Sequence, residues 1–260
     1  MLRERPPGRR LTLAYPLWRR VLRHFFELFF PPACPWCGAT LVKNSGPWAC
    51  PACAETVRPI TAPFCRICGI PFAAGEEPRT CAKCLSNPPL FDHLRGVVPY
   101  TPLVAQAIHS FKYNRNLTRA HALAGVLMSV ETLGLRWSGY DAVIPVPLHP
   151  HRLRQRRFNQ AALLLWDLPL AFQLPIRLDW LVRVRDTSAQ ANLDAAGRHE
   201  NIKGAFALTP QAEVRGLKVL LVDDVASTGA TLHECAKVLK KSGGAAQVDA
   251  AVVARALGES

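Results

Sequence analysis

Four Cys-x-x-Cys pairs between residues 34 and 84 constrain the fold of this chain more than any other feature. The pattern C-x2-C-x12-C-x2-C occurs twice, and the second copy follows the first at a distance of 31 residues. Its cysteines are Cys34, Cys37, Cys50, Cys53, Cys65, Cys68, Cys81 and Cys84. Two thiolate pairs match the tetrahedral coordination of Zn(II), and a site with four thiolates leaves no position for a reactive water. The repeat therefore predicts two structural zinc sites.

The repeat leaves the pairing of the zinc ligands open. We expect each copy to bind one ion with its own four cysteines, but ligation that interleaves the two copies uses the same residues. The main alternative is a pair of thioredoxin-like redox motifs, which the absence of a strand, helix, strand pattern around the cysteines disfavours. The ninth cysteine, Cys235, lies within an apolar helical pattern and is expected to be an inert buried thiol.

The cysteines also indicate the cellular compartment, because metal ligation rather than disulfide formation is the usual role of such motifs in a reducing cytosol. The apolar stretch over residues 17–30 is interrupted by Arg, His and Glu and has no small-residue cleavage site, so it does not resemble a secretory signal. No apolar run reaches the roughly 18 residues of a membrane-spanning helix. We expect a cytoplasmic protein, with contact at the inner face of the cell membrane as an open alternative.

Positive charge is concentrated near the start of the chain. The formal net charge is +13, and residues 1–33 contain seven Arg and two Glu. We interpret this segment as a basic tail and an amphipathic helix, in which apolar and basic residues mix along YPLWRRVLRHFFELFFPP. Such a helix suits an anionic membrane surface or a docking partner, and packing against the cysteine-rich module is the simpler alternative.

The Pro-rich segment SNPPLFD separates a tandem zinc-ribbon module over 34–88 from a second domain over 89–260. In the second domain, strand-like and helix-like segments alternate. The predicted strands are LRGVVPYT, DAVIPVP, KVLLVDD and QVDAAVVARA. Continuous apolar strands separated by helices indicate an α/β fold with a parallel sheet that is covered on both faces.

The segment VLLVDDVASTGAT places two acids at the end of an apolar strand, directly before a loop of small residues. Ligands of open α/β sheets bind beyond the carboxyl ends of the strands, where Asp223 and Asp224 are expected. Ionised carboxylates accept hydrogen bonds from a ribose diol, and amides in the first turn of a helix bind phosphate. The loop that would bind the phosphate comprises Ala226, Ser227, Thr228, Gly229, Ala230 and Thr231. The pattern predicts a phosphorylated ribose as the ligand, and the alternative is a solvated Asp-Asp turn.

VLLVDDVASTGAT closely resembles the phosphoribosyl pyrophosphate signature of type I phosphoribosyltransferases. From about residue 25 onward the chain is similar to the ComF family, bacterial proteins associated with natural competence and DNA utilisation. The stretches that carry this similarity are FPPACPWCG, IHSFKYNRN, VIPVPLHPHRLRQRRFNQ and QANLDAAGRHENIKGAF. The resemblance implies a zinc module followed by a type I phosphoribosyltransferase-like domain. It also implies that Asp223 and Asp224 contact ribose hydroxyls with Mg2+ nearby, and that the loop after them holds the 5'-phosphate.

The loop after VIPVP would meet pyrophosphate, as the resemblance implies, and basic side chains there would neutralise its charge. The residues assigned to this role are His149, Arg152 and Arg157. The residues assigned to a mobile loop that closes over the site are Arg183, Gln190 and Arg198. A solvated basic helix face is the alternative for Arg154 and Arg156. Related proteins commonly have Gly where this chain has Arg157, so a bulky cation occupies a position that usually allows close backbone approach.

Three functional hypotheses follow. The first is a protein that binds phosphoribosyl pyrophosphate, or a related ribose phosphate, and takes part in DNA uptake or utilisation with single-stranded DNA as a partner. The second is an active phosphoribosyltransferase with an unidentified nucleobase or amine acceptor. Displacing pyrophosphate needs electrostatic stabilisation but no nucleophile, so no catalytic residue is assigned. The third is docking of the N-terminal segment to a membrane or to a DNA-uptake protein. Trp36, Trp48 and Phe64 would stack on bases in the first hypothesis, and packing in a small core is their alternative role.

Overall fold

The computed structural model describes residues 33–41, 49–113, 117–166, 175–187 and 195–257, which belong to one compact unit. The basic tail and amphipathic helix predicted over 1–33 lie outside these residues, except for Ala33. Within the described ranges, the two cysteine repeats come first and an α/β domain follows.

In the part of the chain that the structure describes, six strands form two sheets. They are β1 (Leu94–Pro99), β2 (Ala142–Pro145), β3 (Leu181–Arg183), β4 (Phe206–Leu208), β5 (Lys218–Ala226) and β6 (Gln247–Arg255). The larger sheet has the order β1-β6-β5-β2, and all of its neighbouring strands are parallel. Each of its strands coincides with a predicted one, so the α/β fold with a parallel sheet is confirmed.

β3 and β4 form a separate antiparallel pair that the sequence pattern did not predict. Leu181 pairs with Leu208, and Arg183 pairs with Phe206. A strand of three residues is too short for its periodicity to be recognised, and these two strands are separated by 22 residues (184–205). The pair brackets the segment that was assigned to a mobile loop.

Helices connect the strands and cover the larger sheet. They are α1 (Pro51–Thr56), α2 (Ala82–Ser86), α3 (Pro102–Tyr113), α4 (Leu117–Met128), α5 (Pro150–Arg156), α6 (Gln160–Leu164), α7 (Ala195–Ile202) and α8 (Ala230–Lys237). Short 3-10 helices occur at Ser129–Leu133 and Trp137–Gly139, and a π-helical turn at Val238–Ser242 extends α8. The connection from β5 through α8 to β6 is the strand, helix, strand unit that the sequence predicts.

The larger sheet is buried on both faces because its central strands are apolar on both sides. Leu220 of β5 belongs to one core, together with Phe111 of α3 and Leu123 of α4. Its neighbour Leu221 points to the opposite face and belongs to a second core with Leu232 of α8. Alternation along one strand thus places successive side chains in two separate cores.

The two cysteine repeats fold alike. Antiparallel bridges join Ala33 to Thr40 in the first repeat and Phe64 to Pro71 in the second, again 31 positions apart. α1 and α2 begin directly after the third cysteine of their repeats. The first repeat shares a core with α3 and α4, whereas the cysteines of the second form a small cluster of their own. The tandem zinc-ribbon architecture is therefore visible in the backbone as well as in the spacing.

Candidate functional site

Asp223 and Asp224 lie near the carboxyl end of β5. Asp223 is level with Val252 of β6, and the last residue of β2, Pro145, is level with Val222. The chain that follows β2 therefore leaves the sheet beside the two acids. The backbone N–H of Asp224 donates a hydrogen bond to Asp223 Oδ1 at 2.8 Å, which fixes the orientation of the first carboxylate.

Lys112, near the end of α3, faces this acidic pair. Its Nζ lies 2.7 Å from Asp224 Oδ2, and the two side chains are 23% and 8% exposed. Burial lowers the pKa of Lys112, but Asp224 and Asp223 outweigh it and raise that pKa above its ordinary value. Lys112 was not among the predicted site residues. The available signal was its position in IHSFKYNRN, a stretch that carries the family resemblance but has no motif linking it to the acids.

The two acids are strongly coupled. Burial and the neighbouring Asp224 raise the pKa of Asp223 well above its usual range, and Lys112 only partly offsets this effect. Two carboxylates at one partly dry position are unfavourable when both are ionised. A cation or a set of hydroxyl donors placed against the pair would relieve this repulsion, so the site is suited to a ligand that brings either.

Residues 226–231, which we call the phosphate loop after the ligand that the sequence predicts, span the junction between β5 and α8. Gly229 immediately precedes α8 with a φ of 82°, a left-handed conformation that glycine adopts without strain. Thr228 Oγ1 accepts a hydrogen bond from the Ala230 N–H at 3.3 Å. The loop therefore turns sharply into a helix at the end of the strand. Amides at this end of a helix, where its dipole is positive, form an anion-binding arrangement.

The segment after β2 leads into α5. His149 precedes the helix, and its Nδ1 accepts a hydrogen bond from the His151 N–H at 3.3 Å. Arg157 follows the helix with a φ of 67° and an exposed side chain. The backbone thus adopts the left-handed conformation at the position where related proteins commonly have Gly. In this chain Arg157 adopts that conformation, which strains its backbone, whereas glycine would adopt it without strain.

α5 contacts the segment that follows β3. Arg152 Nη2 donates to the carbonyl oxygen of Thr187 at 2.8 Å, and Arg183 donates to the hydroxyl of the same residue. His151 Nδ1 lies 2.9 Å from Asp186 Oδ2. Burial raises the pKa of Asp186, but His151 and the neighbouring cations outweigh it and lower that pKa. Two predicted site residues, Arg152 and Arg183, therefore converge on Thr187.

The three residues assigned to a mobile loop lie in different parts of the chain's structure. Arg183 is the last residue of β3 and is buried, with its guanidinium 5.6 Å from the centre of the Phe206 ring. Burial and Arg152 lower its pKa, whereas Asp223 is among the groups that raise it. Arg198 lies within α7, and Gln190 lies outside the described residues. Their role as a closing loop stays a prediction.

The eight thiols form two groups of four, and the Sγ atoms of each group lie within 4.8 Å of one another. The first zinc site is Cys34, Cys37, Cys50 and Cys53, and the second zinc site is Cys65, Cys68, Cys81 and Cys84. The ligand pairing that the spacing left open is thus sequential. Tetrahedral zinc with Zn–S bonds of about 2.3 Å requires S···S separations of about 3.8 Å. The separation of 3.6 Å between Cys37 Sγ and Cys50 Sγ in the first site, and of 3.7 Å between Cys68 Sγ and Cys81 Sγ in the second, fits this geometry.

Backbone amides orient the thiols in the same way in both sites. The Cys50 N–H donates to Cys34 Sγ at 3.4 Å, and the Cys81 N–H donates to Cys65 Sγ at 3.3 Å. Burial raises the pKa of Cys34 and Cys65, but such amides outweigh it and lower each pKa to about 7. Thiolates are the form that zinc binds, so these amides favour the binding form of one cysteine in each site, whereas burial raises the pKa of Cys53 and Cys84. Four sulfur ligands close each site and make its role structural.

The aromatic residues of the zinc module differ in exposure. Trp36 is buried in the core that it shares with α3 and α4, as the alternative to base stacking predicts. Phe64 is half-buried beneath the guanidinium of Arg95, 4.7 Å from the ring centre, and Trp48 lies outside the described residues. Cys235 is fully buried, and burial raises its pKa, in agreement with an inert thiol.

Among the described residues, no helix is both long and apolar enough to cross a bilayer.

Comparison with known proteins gives two family models that match the chain. One is a double zinc ribbon domain over residues 25–85, and the other is a phosphoribosyl transferase domain over residues 168–259. The DNA utilization protein YhgH of Salmonella typhi is 36% identical over 224 residues, which cover 84% of this chain and 95% of that protein. Its counterpart in Escherichia coli K12 is 33% identical with the same coverage. Competence protein F of Haemophilus influenzae is 31% identical, with 83% and 93% covered.

Proposed function

The chain belongs to the ComF family, whose members include the DNA utilization protein YhgH and competence protein F, and from this premise we propose its function. We propose that the protein binds phosphoribosyl pyrophosphate, or a related ribose phosphate, and takes part in DNA uptake or utilisation. The zinc ribbons act as structural elements beside that site.

One observation carries the proposal: a coupled acidic pair and a sharply turned phosphate loop follow each other at the carboxyl end of one central strand. Asp223 and Asp224 supply acceptors for the 2'- and 3'-hydroxyls of a ribose. Gly229 and the start of α8 supply amide donors for the phosphate on the 5'-oxygen. Carboxylates would repel a phosphate at the same position, so the two features address different parts of one ligand.

Mg2+ fits the chemistry of the acidic pair, because hard cations prefer carboxylate oxygens. Asp223 and Asp224 would hold the ion together with the ligand's hydroxyls, and the ion would supply positive charge for the pyrophosphate. Lys112 already supplies one positive charge to Asp224 from within the chain. We propose that Lys112 limits the repulsion between the carboxylates until the ligand arrives, and that the ligand then competes for the oxygen that Lys112 contacts.

Ligand binding is tested by calorimetric titration of the zinc-loaded protein with phosphoribosyl pyrophosphate in Mg2+. The double substitution Asp223→Asn and Asp224→Asn is expected to weaken binding by at least about 100-fold, because two charged acceptors become neutral amides and the hydrogen bonds are no longer charge-assisted. Asp179→Asn, which makes the same chemical change at an exposed acid, serves as the matched control. Equal affinity in the double variant and the control would refute the site assignment.

Catalysis is a second candidate function, favoured by the cations that gather next to the acidic pair. Arg152 and Arg183 meet at Thr187, and Arg183 is close enough to Asp223 for the two charges to interact. Such cations would stabilise a departing pyrophosphate. Release of pyrophosphate with candidate bases and amines separates a transferase from a binding protein. A protein that binds the ligand but releases none with any acceptor is a binding protein.

The DNA-related role rests on the names of the relatives and on the net charge of +13. Binding to single-stranded DNA through phosphates predicts that the logarithm of affinity falls linearly with the logarithm of salt concentration. Affinity should also survive changes of base sequence, because contacts to phosphates carry no sequence information. Absence of binding at low salt would remove single-stranded DNA as a direct partner.

A further inference from the structure

The second zinc site and the phosphate loop share a buried arginine. Arg255, the last residue of β6, is 3% exposed. Its Nε donates to the carbonyl oxygen of Cys68 at 3.3 Å. Its Nη1 donates to the carbonyl oxygen of Ala226 at 2.9 Å and to that of Ser227. One guanidinium therefore joins a zinc-ligand residue to the first two residues of the phosphate loop.

A second buried arginine holds the same zinc knuckle, Cys65–Cys68, without reaching the phosphate loop. Arg95 Nη2 donates to the Arg66 carbonyl oxygen at 2.9 Å, and its Nη1 donates to that of Ile67 at 3.3 Å. The knuckle is thus fastened to β1 by Arg95 and to the end of β6 by Arg255. Only Arg255 has bonds that continue into residues 226–231.

The surroundings of Arg255 leave it little freedom. A Cβ added at Gly96 of β1 would lie 2.5 Å from the Arg255 Cβ, so the glycine makes room for this side chain. A cavity of about 40 Å3 separates the second zinc site from the loop and is lined by residues of both, including Cys84, Thr228 and Gly229. A gap of this size admits little more than a water or two, so the knuckle and the loop lie close together.

Electrostatics make the link dependent on the metal. Zn2+ with four thiolates carries a net charge of −2, and a guanidinium beside it is a suitable counter-charge in a dry interior. Without the ion, the knuckle loses the metal–sulfur bonds that shape it. Arg255 would then lose the fixed position of the Cys68 carbonyl oxygen, and a buried guanidinium without its acceptor is unstable where it lies.

We propose that Arg255 is a positioning residue that couples the second zinc site to the phosphate loop, so that zinc in this site supports binding of the ribose phosphate. The inference rests on the proposed function, because it assigns a regulator to the same loop. The first zinc site has no equivalent connection among the described residues, since it packs against α3 and α4. The two repeats should therefore differ in their effect on the ligand, although their ligand geometry is alike.

The first test compares Arg255→Lys with Arg95→Lys as the matched control. Both variants replace a buried guanidinium that binds the second knuckle, and only the former releases carbonyls of the phosphate loop. Titration with ribose 5-phosphate is expected to show about tenfold weaker binding or more for Arg255→Lys, and a change within about twofold for Arg95→Lys. Hydrogen exchange of the amides of residues 226–231 should rise in Arg255→Lys alone. Equal affinities and equal exchange would overturn the coupling.

The second test leaves both arginines in place, in case Arg255→Lys does not fold. Cys37→Ser and Cys68→Ser remove equivalent ligands from the first and second zinc sites. Zinc content should fall in both variants, whereas exchange of residues 226–231 should rise, and ribose 5-phosphate affinity should fall, only in Cys68→Ser. Equal effects of the two substitutions would overturn the inference. If the unsubstituted protein bound neither ribose 5-phosphate nor phosphoribosyl pyrophosphate, the proposed function would be refuted instead.

Discussion

The ion pair between Lys112 and Asp224 allows a double-mutant cycle at the centre of the site. The charges lie 2.7 Å apart with side chains 23% and 8% exposed. At an effective dielectric constant of about 20, their gross attraction is about 6 kcal/mol, and desolvation of the two ions offsets much of it. Removing one partner leaves a buried charge unpaired, and a substitution of this kind lowers the free energy of unfolding by about 3 kcal/mol at the lower end of the usual range. The partial exposure of Lys112 is the reason for choosing the lower end.

The cycle consists of Lys112→Met, Asp224→Asn and the double variant. We expect each single substitution to lower the free energy of unfolding by about 3 kcal/mol at pH 7.5, which corresponds to a fall of roughly 6–12 °C in Tm. The double variant should be less destabilised than the sum of the two by at least about 2 kcal/mol, because neither charge is then left alone. Urea titrations in zinc-buffered solution measure the three values.

A more exposed pair supplies the control. Lys203 Nζ lies 3.6 Å from Glu200 Oε2, three residues earlier in the chain, with side chains 64% and 77% exposed, and Lys203→Met should lower stability by no more than about 0.5 kcal/mol. The reasoning fails if the effects of Lys112→Met and Asp224→Asn add within about 0.5 kcal/mol. Additive effects would mean that the two charges do not stabilise each other in the folded chain.

Three further predictions concern separate features. Because the pKa of Asp223 is raised in the folded protein, its ionisation opposes folding as pH rises above about 4. Asp223→Asn should therefore stabilise the ligand-free protein increasingly from pH 5 to 8, and a Tm difference from the unsubstituted protein that stays constant or falls would contradict this. Arg157→Gly should raise the free energy of unfolding by about 1 kcal/mol, because glycine adopts the left-handed conformation without strain. Arg154→Gly within α5 should lower it by about as much, and thermal melting of both variants tests the two values. Elemental analysis should find two zinc ions per chain and about one after either Cys37→Ser or Cys68→Ser; no loss in either variant would exclude the four-cysteine sites.

The larger sheet was predictable because each of its strands is a local apolar run with helical periodicity beside it. β5 is buried along most of its length, and the loop of small residues after it begins α8 where the sequence indicates. β3 and β4 were not predictable, since strands of three residues hold too little pattern. The family resemblance added the phosphoribosyl ligand, which no periodicity in the chain specifies.

The candidate site was only partly predictable for a related reason. Asp223, Asp224 and the phosphate loop follow one another along the chain, so a single segment contains the signal. Lys112 is distant in sequence from the acids that it contacts, and no spacing rule connects them. Arg183 was expected in a loop, yet its position in a strand depends on pairing with Phe206, on the far side of that loop.

The sequence by itself determined the features that depend on neighbours along the chain: the 31-residue cysteine repeat, the apolar strands, and the acids followed by small residues. Only the tertiary structure decided which four thiols share a site, that Lys112 meets Asp224, and that Arg255 reaches Cys68 across 187 positions. The last two contacts depend on the order β1-β6-β5-β2, which brings distant segments side by side. Strand order is set by the combined packing of both faces of the sheet, and no local pattern in the chain contains it.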